Sequence, residues 1–460
     1  MSVAASTSRA SSAPSSSADS RRWLALAVLC AAQFLVILDT SIVGIALPAI
    51  QADLGFDASG LQWIFNAYVV AFGGLLLLGG RLSDLFGPRK VFATGFGILT
   101  AASLLAGLAP SAEVLLVGRA LQGIGAALIA PASLSLVMAL FGSRPAELGR
   151  ALGFWGAAAA AGGTAGVFLG GVVTEWLGWG WTFLVNVPLG LLVLVATFAL
   201  IPRGARRPGS VDVLGATLVT LGIGLLVYAI VAVESSSLAL PALVASLVLL
   251  VAFVMLQRHR REPLVPLAIF RAENLAAGNI ITALLGAAWI PMWFFLNMVL
   301  QQVLGLGAFD SGLALLPMTL TIMILMVGAT GRVIGRIGPK RALVAGLALL
   351  TLALVLFAHM PADASFVGHV LLPSLLAALG MSLAYVPSVI VSTAGARAED
   401  GGLASGIVNT TYQIGSAVGL AAMVAISGDA STIAFQGAAV IALVATLVAA
   451  LAVREPLAGR

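Results

Sequence analysis

Gly80-Arg81-Leu82-Ser83-Asp84-Leu85-Phe86-Gly87-Pro88-Arg89-Lys90 recurs 251 residues later as Gly331-Arg332-Val333-Ile334-Gly335-Arg336-Ile337-Gly338-Pro339-Lys340-Arg341. Gly, Arg, Gly, Pro and two closing cations coincide. Each copy joins two long apolar runs, so the repeat relates two halves that thread the same surroundings in the same direction. Composition says what those surroundings are. Of 460 residues, 60% are hydrophobic and 9% charged, against about 25% charged in soluble globular chains. The halves are expected to lie in a lipid bilayer.

A crossing helix needs about 20 mostly apolar residues. Fourteen windows qualify, near 23–50, 61–80, 91–109, 113–139, 150–173, 181–201, 213–233, 239–257, 276–301, 311–334, 341–359, 366–388, 402–427 and 433–453. The first follows Arg21 and Arg22 as a signal peptide would, but it is too long for one. With alternate loops on opposite sides, 22 of the 23 Lys and Arg residues fall on one side, Arg119 being the exception. The other side holds Asp53, Asp57, Glu113, Glu175, Glu234, Asp310, Asp363 and Asp429. Cations gather in cytoplasmic loops, so both termini are expected in the cytoplasm and the chain in a cell (inner or plasma) membrane. Omitting one helix would invert every later loop, which makes the charge pattern a test of the count.

The repeat and the count give an all-α membrane protein of two six-helix bundles with two helices inserted between them. The expected divisions are a disordered tail over 1–22, a first bundle over 23–201, a linker carrying the inserted pair over 202–275, a second bundle over 276–453, and a short tail over 454–460. A monomer is expected, because every span belongs to one self-sufficient bundle.

Other classes fall away on composition. A net charge of +5 and a pI near 10.0 come without a basic block dense enough to track nucleic-acid phosphates. Cys30 is the sole cysteine, and His259, His359 and His369 never stand at ligand spacing, so no metal is expected. No phosphate-binding loop or nucleophile elbow occurs, and the longest cytoplasmic connection, about Arg258 to Leu275, is too short to fold alone. The chain is therefore not expected to be an enzyme. Its energy source must lie outside nucleotide chemistry, and no cofactor is expected.

Further motifs sharpen this reading. Leu38-Asp39-Thr40-Ser41-Ile42-Val43-Gly44-Ile45-Ala46-Leu47-Pro48, Arg119-Ala120-Leu121-Gln122-Gly123, Gly166-Val167-Phe168-Leu169-Gly170-Gly171, and Trp179-Gly180-Trp181-Thr182-Phe183 followed by Asn186-Val187-Pro188 stand in spans 1, 4, 5 and 6. Together with the Gly80–Lys90 loop they resemble the major facilitator superfamily, and within it the fourteen-helix drug:proton antiporter branch, over residues 23 to 453. Departures from the family pattern are Ser41 for Thr, Gly44 for Asn, Val167 for the proline of a Gly-Pro pair, and Gly180 for a common Arg. The resemblance implies a multi-pass exporter of small organic compounds by alternating access, driven by protons. Uptake or facilitated diffusion on the same fold is the alternative.

Only Asp39 and Arg119 carry charge well inside the windows. An ionised group at mid-bilayer costs about 2.5–3.5 kcal/mol on insertion scales, so such groups face a wet cavity or each other. Both fall in the outer half at comparable depth. Asp39 is the candidate proton carrier, with Arg119 biasing its charge; a static ion pair between spans 1 and 4 is the other reading. In the repeated loop, Gly80, Arg81, Asp84, Gly87, Arg89 and Lys90 are candidates for a cytoplasmic latch between halves, and their charges also fix topology.

Gly162, Gly166 and Gly170, backed by Gly163 and Gly171, form a stripe on span 5 that is expected to let one half pack or slide on the other. Trp289, Trp293, Asn297 and Gln301 recur every four residues along span 9 and suit an amphipathic or cationic compound, with Met318, Met323 and Met326 as adaptable neighbours. Gln33, Asn66, Tyr68, Gln122 and Tyr385 are further polar groups within spans, as are Asn409, Tyr412 and Gln413. These residues read equally as substrate contacts or as helix packing.

Overall fold

The computed structural model describes residues 16–141, 145–202, 212–233, 236–260, 263–361, 364–396, 401–427 and 430–455. Among them no strand occurs. The first fifteen residues of the expected N-terminal tail, the outer-loop acids Glu234, Asp363 and Asp429, and residues 456–460 lie outside the described residues. Thirteen helices are long and apolar enough to cross a membrane. They are α1 Ser20–Leu54, α2 Trp63–Phe86, α3 Pro88–Gly107, α4 Ala112–Phe141, α5 Arg150–Leu177, α6 Trp181–Leu200, α7 Val213–Val231, α8 Ala239–His259, α9 Leu275–Val303, α11 Pro339–Ala358, α12 Phe366–Thr393, α13 Leu403–Ser427 and α14 Ser431–Ala452. The remaining helix, α10 Ala308–Ile324, is shorter because a π turn over Leu325–Ala329 interrupts it before Thr330–Ile337 carries it on.

Each of the fourteen windows thus holds a helix, with differences at the ends. The first helix begins at Ser16 and runs to Leu54, so residues 16–22 continue it instead of belonging to the tail. Once an apolar helix exists, each added residue gains a backbone bond without repeating the costly nucleation. The π turns in α9, α10 and α12 carry no signature that a period of 3.6 residues would reveal.

The repeat is one turn built twice. Gly87 has φ 90° and Gly338 φ 85°, a conformation open to glycine and strained for other residues. Gly87 donates its N–H to Ser83 O at 3.0 Å, and Gly338 to Ile334 O at 2.9 Å. Pro88 and Pro339 then start α3 and α11, where a missing N–H is harmless.

Helices α1 to α6 pack into one bundle and α9 to α14 into the other; the bundles meet where α5 lies on α10 and α2 on α13. The inserted pair α7 and α8 packs on itself and on α2 and α13. Only 17% of the apolar window of α8 is enclosed, against 72% for α9, so α8 faces lipid and α9 lines the centre. At the foot of the pair, buried Asp212 accepts from Gly215 N (2.9 Å) and from Gln257 Nε2 (2.7 Å) and pairs with Arg260 at 3.4 Å.

The glycine stripe does not serve the contact expected of it. A Cβ at Gly166 would lie 2.8 Å from Ser41 Cβ, and one at Gly170 2.7 Å from Ile42 O, while Gly162 abuts Phe34 O. All three press on α1 of their own bundle. Between the bundles, a Cβ at Gly171 would lie 2.7 Å from Ala308 O and one at Gly312 3.0 Å from Val167 O. Successive helical residues turn about 100°, so Gly170 and Gly171 look at different neighbours. No proline interrupts α5, and Val167 is fully buried.

Candidate functional site

Two motifs bring the lone acid and the lone guanidinium together. The glycine of Arg119-Ala120-Leu121-Gln122-Gly123 explains how α4 comes close enough: any side chain at Gly123 would meet Tyr68 O of α2. One turn earlier, Arg119 projects from the same helix, fully enclosed. Its Nε donates to Ile64 O at 2.8 Å and its Nη1 to Asp39 Oδ2 at 3.0 Å. Nη1 also reaches Gln122 Oε1 at 2.9 Å, and the guanidinium carbon stands 4.6 Å from the Tyr68 ring centre.

Asp39 is likewise fully enclosed. Its Oδ1 accepts from Gln122 Nε2 at 2.8 Å and from Asn186 Nδ2 at 2.6 Å, and Gln122 Nε2 also donates to Ser103 Oγ at 2.8 Å. Helices α4 and α6 therefore converge on the one carboxylate of α1, with Ser103 of α3 bracing Gln122 behind it. Removing one partner of such a pair strands the other in a medium that cannot solvate it, which costs about 3–5 kcal/mol. The arrangement can hold a carboxylate inside a hydrophobic bundle, and three donors pin its geometry.

Most of the other candidates lie elsewhere. Trp289 and Trp293 meet edge to face at 6.3 Å. Asn297 Nδ2 turns back to Trp293 O at 2.7 Å and sits 3.2 Å from where a Cβ on Gly44 would be, so the small residue in the α1 motif makes room for it. Gln301 Nε2 donates to Ile45 O at 2.9 Å, tying α9 to α1. Tyr385 stacks edge to face on Tyr412 at 5.6 Å, Asn66 Nδ2 reaches Gln62 Oε1 at 3.4 Å, and Gln33 is half-buried. In the repeated loop, Arg89 donates to Phe198 O at 2.7 Å and lies over the Phe198 ring, which binds α3 to α6 of its own bundle. Among the described residues no bond from Asp84 crosses to the other bundle.

At the seam between the bundles a shallow, open groove of about 330 Å³ is lined by Ala161, Thr164, Ala165 and Phe168 of α5 and by Leu316 and Met323 of α10. Of the residues singled out in the sequence as candidate contacts, only Met323 lines it. The α5 lining follows an i, i+3, i+4, i+7 stripe, a signal present in the sequence beside the more conspicuous glycines. Asn186 stands in the Asn186-Val187-Pro188 motif, to which the sequence alone assigns no role.

On the face away from the termini the bundles are bonded to each other. Glu175 Oε2 accepts from Ala308 N at 3.2 Å, Gln302 Nε2 donates to Gln51 Oε1 at 3.4 Å, and Trp176 stacks on Phe309 at 5.5 Å. Toward the termini, Gly153 and Gly156 of α5 and Gly328, Gly331 and Gly335 of the α10 segment have open space around them. Among the described residues no group of three or more His, Cys, Asp or Glu could hold a metal.

The model of the Major Facilitator Superfamily matches residues 29–420 and 330–459. The chain belongs to that superfamily. It is 37% identical over 417 residues to the cephamycin export protein CmcT of Amycolatopsis lactamdurans, covering 89% of this chain and 85% of the relative. It is 36% identical over 420 residues to the puromycin resistance protein pur8 of Streptomyces alboniger (90% and 83%), and 36% over 446 residues to the lincomycin resistance protein of Streptomyces lincolnensis (94% and 91%). Among solved structures, an auto-inhibited peptide transporter of the POT family superposes with a TM-score of 0.70 at 17% identity, covering 95% of this chain and 98% of that one. The human organic anion transporter MFSD10 gives 0.65 at 16%, covering 93% and 99%. At such identities these structures speak for the fold alone. As a member of the superfamily this multi-pass membrane protein is a transporter and not an enzyme.

Proposed function

We propose that this transporter exports small hydrophobic or amphipathic organic compounds, including antibiotics, in exchange for protons. The observation that carries the reading is the enclosed Asp39–Arg119 pair in a chain whose relatives bear the names of antibiotic export and resistance proteins. Asp39 takes a proton from outside, and Arg119 restores its charge when the proton leaves inward. Substrate passes between bundles that rock about their common seam, without a cofactor and with one chain sufficing. The cation-rich loops support a cytoplasmic position for both termini. In that orientation the bonded far face and the open glycines near the termini support reading this conformation as turned toward the cytoplasm. Aromatic faces at Trp289, Trp293 and Tyr385 offer surfaces for flat or cationic compounds.

Expression in a pump-deficient host against a panel of toxic compounds identifies a substrate. Membrane vesicles with an imposed pH gradient then show that substrate moving opposite to protons. Asp39→Asn is expected to reduce uphill movement at least ~100-fold while substrate-for-substrate exchange at equal pH persists. Undiminished uphill transport by that variant would overturn the coupling role, and movement in the same direction as protons would favour uptake.

A further inference from the structure

We propose that Asn186 is a positioning residue for Asp39 that follows its charge by turning over its side-chain amide, donating to the carboxylate and accepting from the carboxylic acid. The inference rests on the reading of Asp39 as the proton carrier. It starts from an imbalance: Asp39 is met by donors from Arg119, Gln122 and Asn186, and the hydrogen bonds recorded for its carboxyl include no acceptor. That set fits an anion. A protonated Asp39 carries an O–H of its own, which would point at another hydrogen unless one donor gives way and an acceptor takes its place.

Only one of the three partners can do this. Arg119 has no acceptor atom, and its Nε is fixed on Ile64 O. Gln122 is held at both ends: its Oε1 accepts from Arg119 and its Nε2 donates to Ser103 as well as to Asp39. Turning its amide would press an NH2 group against the guanidinium. Asn186 is fully enclosed, and its Oδ1 has no hydrogen-bond partner among the described residues. A half-turn about its last side-chain bond exchanges Nδ2 and Oδ1. The acceptor then stands where the donor stood, with no other bond broken.

The position suits the task. Asn186 opens the longer segment of α6, Asn186–Leu200, after the break at Val185 that separates it from Trp181–Leu184. The charged and titratable groups facing Asp39 are Arg119 of α4 and Tyr68 of α2. Helices α5, α6, α9 and α10 also pack on α1; Arg150 of α5 lies over Trp23 and Glu147 just before it pairs with Arg22, both at the end of α1 remote from Asp39, while Glu175 and Asp310 stand at helix ends.

The test needs no substrate. Infrared difference spectra between alkaline and acidic pH are recorded on the purified protein in lipid, with the acid carbonyl band of Asp39 assigned by its loss in the Asp39→Asn variant. The expected result is a side-chain amide carbonyl band that moves together with the acid band and is lost in both Asn186→Leu and Asn186→Ser. A serine hydroxyl can donate or accept by rotating, so Asn186→Ser should keep the protonation midpoint within about half a unit of the parent. Asn186→Leu, which offers neither bond, should raise the midpoint by about one unit, a tenfold change in the proton equilibrium, because the bond donated to the charged carboxylate is stronger than the one accepted from the neutral acid. An acid band with no amide band dependent on Asn186, or equal midpoints in the leucine variant and the parent, overturns the assignment to Asn186 and leaves Asp39 untouched. An Asp39 acid band that does not change between the alkaline and the acidic samples would instead defeat the proton-carrier reading. The parent and Asn186→Ser spectra decide the matter even where Asn186→Leu fails to fold.

Discussion

The two bundles share a turn and differ in what they enclose. Gly87 and Gly338 bend the chain alike, yet the first bundle wraps Asp39, Arg119, Gln122 and Asn186 around one another. In the corresponding interior of the second bundle stand the Trp289–Trp293 and Tyr385–Tyr412 pairs and the bond from Thr411 to Asn279 at 2.9 Å. Among the described residues, no charged side chain of α9 to α14 is buried. Duplication has kept the backbone device that any helical hairpin needs, while the interiors have diverged. An enclosed ion pair is expensive wherever it sits, so it is carried in one half, and the other is left to aromatic faces.

The comparison breaks most visibly at Arg119. Arg119→Ala leaves the Asp39 carboxylate without its counter-charge, and the purified protein should lose about 3–5 kcal/mol of stability, measured by thermal unfolding. Adding Asp39→Asn should recover most of that loss. Arg119→Lys should not, since an ammonium cannot reach Ile64 O and Asp39 at once as the guanidinium fork does. Equal unfolding of the alanine variant and the parent would mean that the two interiors do not differ in the way described.

A smaller effect separates the glycines. Gly166→Ala places a methyl 2.8 Å from Ser41 Cβ, whereas Gly331→Ala meets nothing within 4 Å. Overpacking costs about 1–3 kcal/mol, so the first should lower the unfolding temperature and the second leave it nearly unchanged. The smallest change is sought in the second bundle. Trp293→Ala should weaken an amphipathic cation's apparent affinity a few-fold, in line with about 0.5–1 kcal/mol for a cation over an aromatic face. The pH dependence set by the first bundle should not move. A shift in that dependence would show that the division between the bundles is not clean.

The fold was readable because a bilayer writes its constraints into composition: apolar runs of fixed length and cations gathered on one side. Asp39 and Arg119 were readable for the same reason, as charges where none is expected. What escaped depends on direction around a helix axis. A stripe such as Gly162, Gly166, Gly170 announces a close neighbour without saying that α1, and not the opposite bundle, supplies it. Thr164 and Phe168 line the open groove at the seam from another face of α5, overshadowed in the sequence by those glycines. Asn186 belongs to the charged knot through a bond spanning 147 positions, and no local spacing encodes such a distance.

If Asp39 carries the proton as proposed, a single carboxylate at the middle of a span among the described residues sets a ceiling of one proton per crossing. One proton per crossing draws about 2.3 kcal/mol from each 100 mV of membrane voltage. That supports roughly a fiftyfold imbalance of a neutral drug across the membrane, at about 1.4 kcal/mol per decade. Making more copies of the protein brings a cell to that ratio sooner and cannot raise it.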